Sequence, residues 1–398
     1  MTEAPPERSL VESAGAISPV YTSDGGMGRS RSTVAVVAWG DPTARKTWSG
    51  TAAMLTQALL DRGVAVTAVD GRPPRPVLAV ARTIHRWQGY GVEWRRGPLV
   101  ATASRLMVRR ALGHDGVGAI LYVGGVGILG VPTKHPSPIP RFAVCDSIWQ
   151  SRPHDHPLPQ GVAPSVARAI ARREVESLHD VSHVFCTSRA AADDVIAAGV
   201  DPVRVTVIGT GTGPIRPYVG PKDYTSKRIL FVAQQRAEEK GLSLLLRAFD
   251  FVRSAIGSAT LTVVGGSAKL DPERIPLGVE VLPRVDLATL QSLFEQATLF
   301  AMPALFEPWG MVYLEALLCR TPILGLRRMG YPEIAAGGQY GFIIDRPDPR
   351  LVADGILSAL SDPARLATMG KEGQANVLAQ FTWAAAAERI HSVLERYV

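Results

Sequence analysis

The feature that most limits how this chain can fold is an alternation of short β-branched runs with longer segments of helical period, kept up along most of its length. "TVAVVAWG" (33–40) reads as a buried strand ending at Gly40. "SGTAAMLTQALLDRG" follows, with Ser49 or Thr51 expected as its cap and Gly63 as its stop, and "VAVTAVD" (64–70) is the next strand. Strand, helix and strand with short connections make a βαβ unit, which demands a parallel sheet. The same alternation predicts strands at 118–123, 142–146, 183–187 and 204–208, with helices between several of them, "SVARAIARREVESLH" among these. It breaks at "GPIRPYVGPKDYTSK" (213–227), which is rich in Pro and Gly and has no period. A second series then begins: "RILFVAQ", "GLSLLLRAFDFVRSAI", "ATLTVVGG", "DLATLQSLFEQA", "LFAMPA", "MVYLEALLCR", "TPILGL".

This pattern predicts an α/β chain of two doubly wound domains, residues 33–212 and 228–381, with 213–227 as the linker. Residues 382–398 are read as a terminal helix, and 1–32, without sustained period, as a disordered tail. Sheets of this kind bind ligands beyond their carboxyl edges, so two of them face each other across a binding cleft. At 398 residues and 46% hydrophobic, the chain is long and apolar enough for two separate cores.

Composition removes several other classes. No apolar run reaches the length of a spanning helix, and "MTEAPPERSLVESAG" lacks the basic start and apolar block of a secretory signal. Cys145, Cys186 and Cys319 are too few and too scattered for a disulfide framework or a zinc site. They read as small buried residues of a reduced, cytoplasmic protein. The net charge of +7 favours anionic partners such as phosphates, acidic lipid or nucleic acid. The excess is local: Arg82, Arg86, Arg95, Arg96, Arg105, Arg109 and Arg110 face only Glu93 within their stretch. A solvated helical face and a functional basic patch both fit that pattern.

"GVGILG" (125–130) matches a dinucleotide fingerprint, with Asp146 about twenty residues on. Its context fails, because the closely spaced prolines of "VPTKHPSPIP" oppose the helix that should hold a pyrophosphate. It is read as a glycine-rich loop at the cleft edge. No G-x-x-x-x-G-K-[ST] loop occurs either.

The most informative stretch is "ALFEPWGMVYLEALLCRTPILG" (304–325), which holds Glu307 and Glu315. Glycosidase carboxyl groups sit roughly 5–9.5 Å apart. On one helix, this pair would be separated by roughly 12 Å. Pro308 and Gly310 instead start the helix near Met311 and leave Glu307 in the preceding loop, a poor arrangement for an acid/base pair. The amides of Gly310, Met311 and Val312 would then form an anion site suited to a diphosphate. Glu315, one turn on, can accept from both ribose hydroxyls, while Glu307 can reach a sugar beyond the phosphates.

F-E-P-W-G-M-V-Y-L-E resembles the E-x7-E signature of retaining glycosyltransferases of the GT-B fold, in particular the large family four. "ILFVAQQRAEEKGLSLLLRAF" (229–249) is similar to that family's strand, E-K-G and helix, with Lys240 matching its phosphate-binding lysine. "TPILGLRRMGYPEIAAGGQYGFII" resembles the family's strand, loop and P-E segment. "TWSGTAAMLTQALLDRG" is similar to the glycine loop that closes over the donor, with Gly50 in that loop, and "FTWAAAAERIHSVL" resembles the helix that crosses back to the first domain. The similarity spans most of 33–398 and is strongest over 229–345. There are departures. Gln234 and Gln235 stand where the family carries Gly-Arg, with Arg236 one position later, and "GTGTG" (209–213) replaces an asparagine–glycine turn. No histidine matches the one the family places beside the sugar. Asp146, ending "RFAVCD", is the candidate for that side, and His154 and His156 lie in the proline-rich loop beyond it.

The resemblance implies two Rossmann-like domains with parallel sheets facing across a cleft. It implies a hexosyltransferase that takes its sugar from a UDP- or GDP-sugar with retention of configuration, without cofactor or metal. Lys240 and Glu307 are the implied catalytic residues, and Asp146, from its place at the end of a first-domain strand, is the candidate catalytic residue opposite them. Gly50, Gln235, Arg236, Gly310, Met311, Val312 and Glu315 complete the implied donor site. The expected acceptor is anionic or lipid-linked, met at the inner face of an acidic membrane, with no nucleic acid. A same-fold epimerase or phosphorylase, a nicotinamide-dependent oxidoreductase and a non-catalytic nucleotide-sugar binder are the alternatives.

Overall fold

The computed structural model describes residues 33–113, 116–125, 139–153, 155–265 and 275–397. The segment 1–32, most of the 125–130 loop and His154 lie outside these.

The first lobe runs β1 (Thr33–Ala38), α1 (Thr51–Asp61), β2 (Val66–Asp70), α2 (Arg75–Trp87), α3 (Pro98–Ala111), β3 (Val117–Val123), β4 (Arg141–Cys145), α4 (Pro164–His179), β5 (His183–Cys186), α5 (Arg189–Ala197) and β6 (Val205–Val207). The second runs β7 (Arg228–Val232), α6 (Leu242–Ala255), β8 (Thr260–Val264), β9 (Val279–Leu282), α7 (Leu287–Gln296), β10 (Leu299–Ala301), α8 (Met311–Leu318), β11 (Ile323–Leu326), α9 (Tyr331–Ile334), β12 (Gly341–Ile344), α10 (Pro349–Ser361) and α11 (Pro363–Gln380). A last helix, α12 (Trp383–Leu394), follows.

Each lobe holds a six-stranded sheet, ordered β2-β1-β3-β4-β5-β6 and β12-β11-β10-β7-β8-β9. Every strand pairing in them is parallel. The central strands are apolar on both faces, as parallel strands covered by helices must be: Ala35, Val36, Val37 and Ala38 of β1 are all 0% exposed. In both sheets the winding reverses once, between β1 and β3 and between β7 and β10. Loops leaving the two strands of such a pair diverge and open a crevice at the carboxyl edge.

The chain crosses between lobes twice. The first crossing is narrower than the 213–227 linker expected from composition. Ile215 lies in the second lobe's core, the Tyr218 amide donates to Leu318 O (3.0 Å), and Lys222 Nζ donates to Phe294 O (3.0 Å) and Thr321 Oγ1 (2.8 Å). Proline and glycine there mark irregular backbone, not freedom. The second crossing delivers α12 to the first lobe, where Ala386, Ala387, Ile390, Val393 and Leu394 share a core with β1, α1 and β3. Residues 349–380, for which the sequence pattern predicts no element, form α10 and α11.

Candidate active site

The site assembles on the reversal point of the second sheet. β7 leads into the loop that carries Lys240, and β10 into the loop that carries Glu307. Backbone bonds fasten the two loops: Glu239 O accepts from the amides of Leu305 (2.8 Å) and Phe306 (3.0 Å). Gly241 makes this approach possible. It has φ +84°, and a Cβ there would lie 2.0 Å from Pro303 O. Lys240 Nζ consequently meets Glu307 Oε2 at 3.1 Å, both side chains about one-fifth exposed.

Helix α8 begins at Met311, with Gly310 (φ 84°, ψ 66°) as a left-handed cap that supplies no side-chain acceptor. Among the described residues, the amides of Gly310, Met311 and Val312 have no hydrogen-bond acceptor, so the positive pole of the helix is open at this edge. Trp309 is buried behind the turn, and its Nε1 donates to Thr210 Oγ1 at 2.7 Å. One turn in, Glu315 lies against the first crossing segment. A Cβ on Gly213 would fall 1.9 Å from its Oε1. Burial raises the Glu315 pKa to about 7, with Lys240 pulling the other way. The "GTGTG" segment is thus explained by packing, since Gly211 lies under the Trp383 ring just as Gly213 lies under Glu315.

The first lobe faces this constellation directly. Trp48, Ser49 and Gly50 take φ values of 45°, 55° and 88°, three successive left-handed residues before α1. Gly50 is the N-cap and no side chain caps the helix, so the expected cap at Ser49 or Thr51 is corrected. The left-handed run turns Ser49 into solvent. Strain of this kind collects at ligand sites. Thr51 Oγ1 lies 4.0 Å from Met311 Sδ, so the N-termini of α1 and α8 come together across the cleft. Asp146, just past β4, has its pKa raised to about 6, chiefly by burial and in part by the negative charge of Glu307 opposite. Arg236 (φ 54°) is exposed and bonds to Glu239 at 3.4 Å, and Gln235 is exposed as well. Neither contacts the Lys240–Glu307 pair directly among the described hydrogen bonds and ion pairs.

Further side chains surround the site, and of these Arg152 and Arg328 escaped the sequence pattern. His156, in the proline-rich loop past Asp146, stacks on Phe306 with ring centres 5.7 Å apart. Arg152 lies 4.5 Å from the Phe306 ring centre and 5.0 Å from that of Trp149. Arg328 pairs with Asp155 across the lobes and donates to Leu305 O at 3.1 Å. The Glu333 carboxylate accepts from the Arg189 amide (2.7 Å) and so caps α5 of the opposite lobe. An aromatic beside an arginine in "SIWQSR", and the "PE" pair itself, were the available signals. Neither shows which surface it will meet.

Residues 219–376 match the family model described as glycosyl transferases group 1. The chain is 29% identical over 213 residues to a GDP-mannose-dependent monoacylated alpha-(1-6)-phosphatidylinositol monomannoside mannosyltransferase of Corynebacterium glutamicum, a stretch covering 50% of this chain and 55% of that protein. It is 29% identical over 231 residues to a D-inositol 3-phosphate glycosyltransferase of Segniliparus rotundus, covering 51% of each. The chain thus spans about half the length of these curated relatives. Among solved structures, sucrose-phosphate synthase from Thermosynechococcus elongatus superposes with a TM-score of 0.68 at 18% identity, over 92% of this chain and 99% of that one. WaaG, a glycosyltransferase involved in lipopolysaccharide biosynthesis, gives 0.56 at 15% identity, over 73% and 82%. Residues 219–376 thus match the glycosyl transferases group 1 model, and the chain as a whole has the GT-B fold.

Proposed function

We propose that the protein transfers a hexose from a nucleotide-sugar to an acceptor, with retention of configuration and without a metal ion. The observation that carries this reading is the ion pair of Lys240 and Glu307 beside the open N-terminus of α8, across from Gly50 and Thr51. Breaking the glycosidic bond puts negative charge on the departing diphosphate. Fixed positive potential aimed at that oxygen lowers the barrier most where water is excluded. In this reading Lys240 and the amides of 310–312 supply the potential, and Arg236 swings in to join them. Glu307 holds the sugar, and Asp146 receives a sugar hydroxyl from the other side. With no carboxylate placed as a nucleophile, the acceptor attacks on the face the diphosphate leaves, and the diphosphate takes its proton.

The acceptor is proposed to be anionic or lipid-linked. Two relatives are named for GDP-mannose as donor, which makes it the first donor to test. The deciding experiment is a thermal-shift panel of GDP- and UDP-sugars, followed by product analysis with EDTA present. A donor at a hundred times its Kd should stabilise the protein by about 2.7 kcal/mol. Hexose release should survive EDTA. No shift with any sugar nucleotide, or loss of turnover on chelation, would overturn the corresponding part of the proposal.

Glu315 adds a pH signature. In the empty site it is a neutral acid below about 7 and a carboxylate above. Only the carboxylate accepts from two ribose hydroxyls, so binding is linked to loss of a proton. The donor Kd should therefore fall as pH rises toward 7 and level off above it, by roughly tenfold per unit at the steepest. Glu315→Gln should flatten this profile, measured by calorimetry between pH 5.5 and 8.5. A profile unchanged in Glu315→Gln would count against a ribose contact.

A further inference from the structure

Helix α2 is anchored to the first lobe by a narrow strip: of its residues only Ala81 and His85 are buried. Val80, Ile84 and Trp87 follow one another at helical spacing along its outer side and are 55%, 41% and 90% exposed. An apolar stripe ending in an almost fully exposed tryptophan is not a solvated face. Val92 and Leu99 extend it at 43% and 38% exposure. The elements carrying these residues are held together: His85 Nδ1 donates to Trp94 O (2.8 Å), and Nε2 accepts from the Leu99 amide (3.4 Å). Gly97 permits the contact, since a Cβ there would lie 2.1 Å from the His85 ring.

The charge around this stripe has one sign. Residues 71–112 contain nine arginines and a single carboxylate, Glu93. Glu93 is already occupied by Arg96 at 3.1 Å, with Arg152 at 3.9 Å. Arg82 and Arg86 of α2 are exposed and have no ion-pair partner among the described residues; Arg109 and Arg110, also exposed, stand at the far end of α3 and are not part of this face.

We propose that this face, made of α2, the turn Gly91–Arg96 and the start of α3, docks on an anionic lipid bilayer. Two features together select that partner. A nucleic acid would neutralise the arginines but leave the apolar stripe in water, and an apolar protein surface would cover the stripe but strand the arginines. The interfacial zone of a bilayer takes tryptophan and aliphatic side chains at headgroup depth and sets arginine against lipid phosphate. Because no described helix is long and apolar enough to cross a membrane, docking is in the plane of the surface. The proposal deepens the lipid-linked acceptor reading, but its evidence is independent of the donor site.

The test uses the full chain and vesicles of neutral phosphatidylcholine with or without about a third phosphatidylglycerol. Binding should require the anionic lipid and weaken with salt. Arg82→Glu with Arg86→Glu should lower partitioning by more than the roughly fivefold per arginine that loss of one charge brings. Trp87→Ser with Ile84→Ser should lower it at least tenfold, with nucleotide-sugar binding in lipid-free buffer unchanged in both variants. Equal binding to neutral and anionic vesicles, or wild-type partitioning by either variant, would overturn the proposal. So would self-association in solution that the Trp87 and Ile84 changes abolish, since a second copy would then be the occupant. A loss of donor binding in the wild-type protein would instead overturn the catalytic reading and leave this one standing.

Discussion

Lys240→Ala is expected to lower turnover roughly 10²–10³-fold, the cost of removing one fixed charge from a stabilised transition state. Glu307→Ala should lower it by a similar factor. The 3.1 Å contact between the two adds a sharper expectation. If each side chain holds the other in place for the donor, the double variant should be little worse than the poorer single one, because residues acting as a unit lose their effect together. Folding should hardly change, because a partly exposed ion pair contributes about 1 kcal/mol or less. Measured kcat/KM for hexose transfer, set beside denaturant midpoints, checks both halves. Near-normal turnover in either single variant would remove the pair from the mechanism.

Gly241→Ala should give the largest loss of stability. The residue has φ +84°, and the new Cβ would lie 2.0 Å from the backbone oxygen of Pro303. Left-handed backbone alone costs an L-residue about 1–2 kcal/mol. Displacing the Pro303 carbonyl should bring the total to roughly 3–5 kcal/mol. The loop can relieve the clash only by leaving residues 303–306, which carries Lys240 away from Glu307, so activity should fall with stability. Gly257→Ala is the control, because its Cβ would meet nothing within 4 Å. Guanidinium unfolding of the two variants should differ by at least about 2 kcal/mol. Equal midpoints would mean that the two loops are not locked together as described.

The strands and their parallel arrangement were legible because both faces of each central strand are covered, which turns "TVAVVA" and "RILFV" into uninterrupted apolar runs. β9 was not. It is an edge strand whose residues stay partly exposed, so "VEVL" gives neither an alternation nor a continuous run. The start of α8 was readable from Pro308 and Gly310, since local chemistry decides where a helix begins. The start of α1 misled for a related reason. Ser49 looks like a cap, but the backbone turns left-handed over 48–50 and points it away. What no local pattern carries is adjacency between distant segments. Arg152 over Phe306, Gly213 under Glu315 and Glu333 on α5 each join residues far apart in the chain, and nothing in either partner's neighbourhood names the other.

Helix α12 has a consequence for synthesis. Its apolar side chains are part of the interior of the first lobe, alongside β1 and α1, yet they are made more than three hundred residues later. As the chain leaves the ribosome, the second lobe can close around residues that are all present by about position 380, while the first still lacks a wall. The amino-terminal lobe, although translated first, therefore has its full core only once α12 has been made, and a chain stalled before residue 386 would expose the groove that α12 fills.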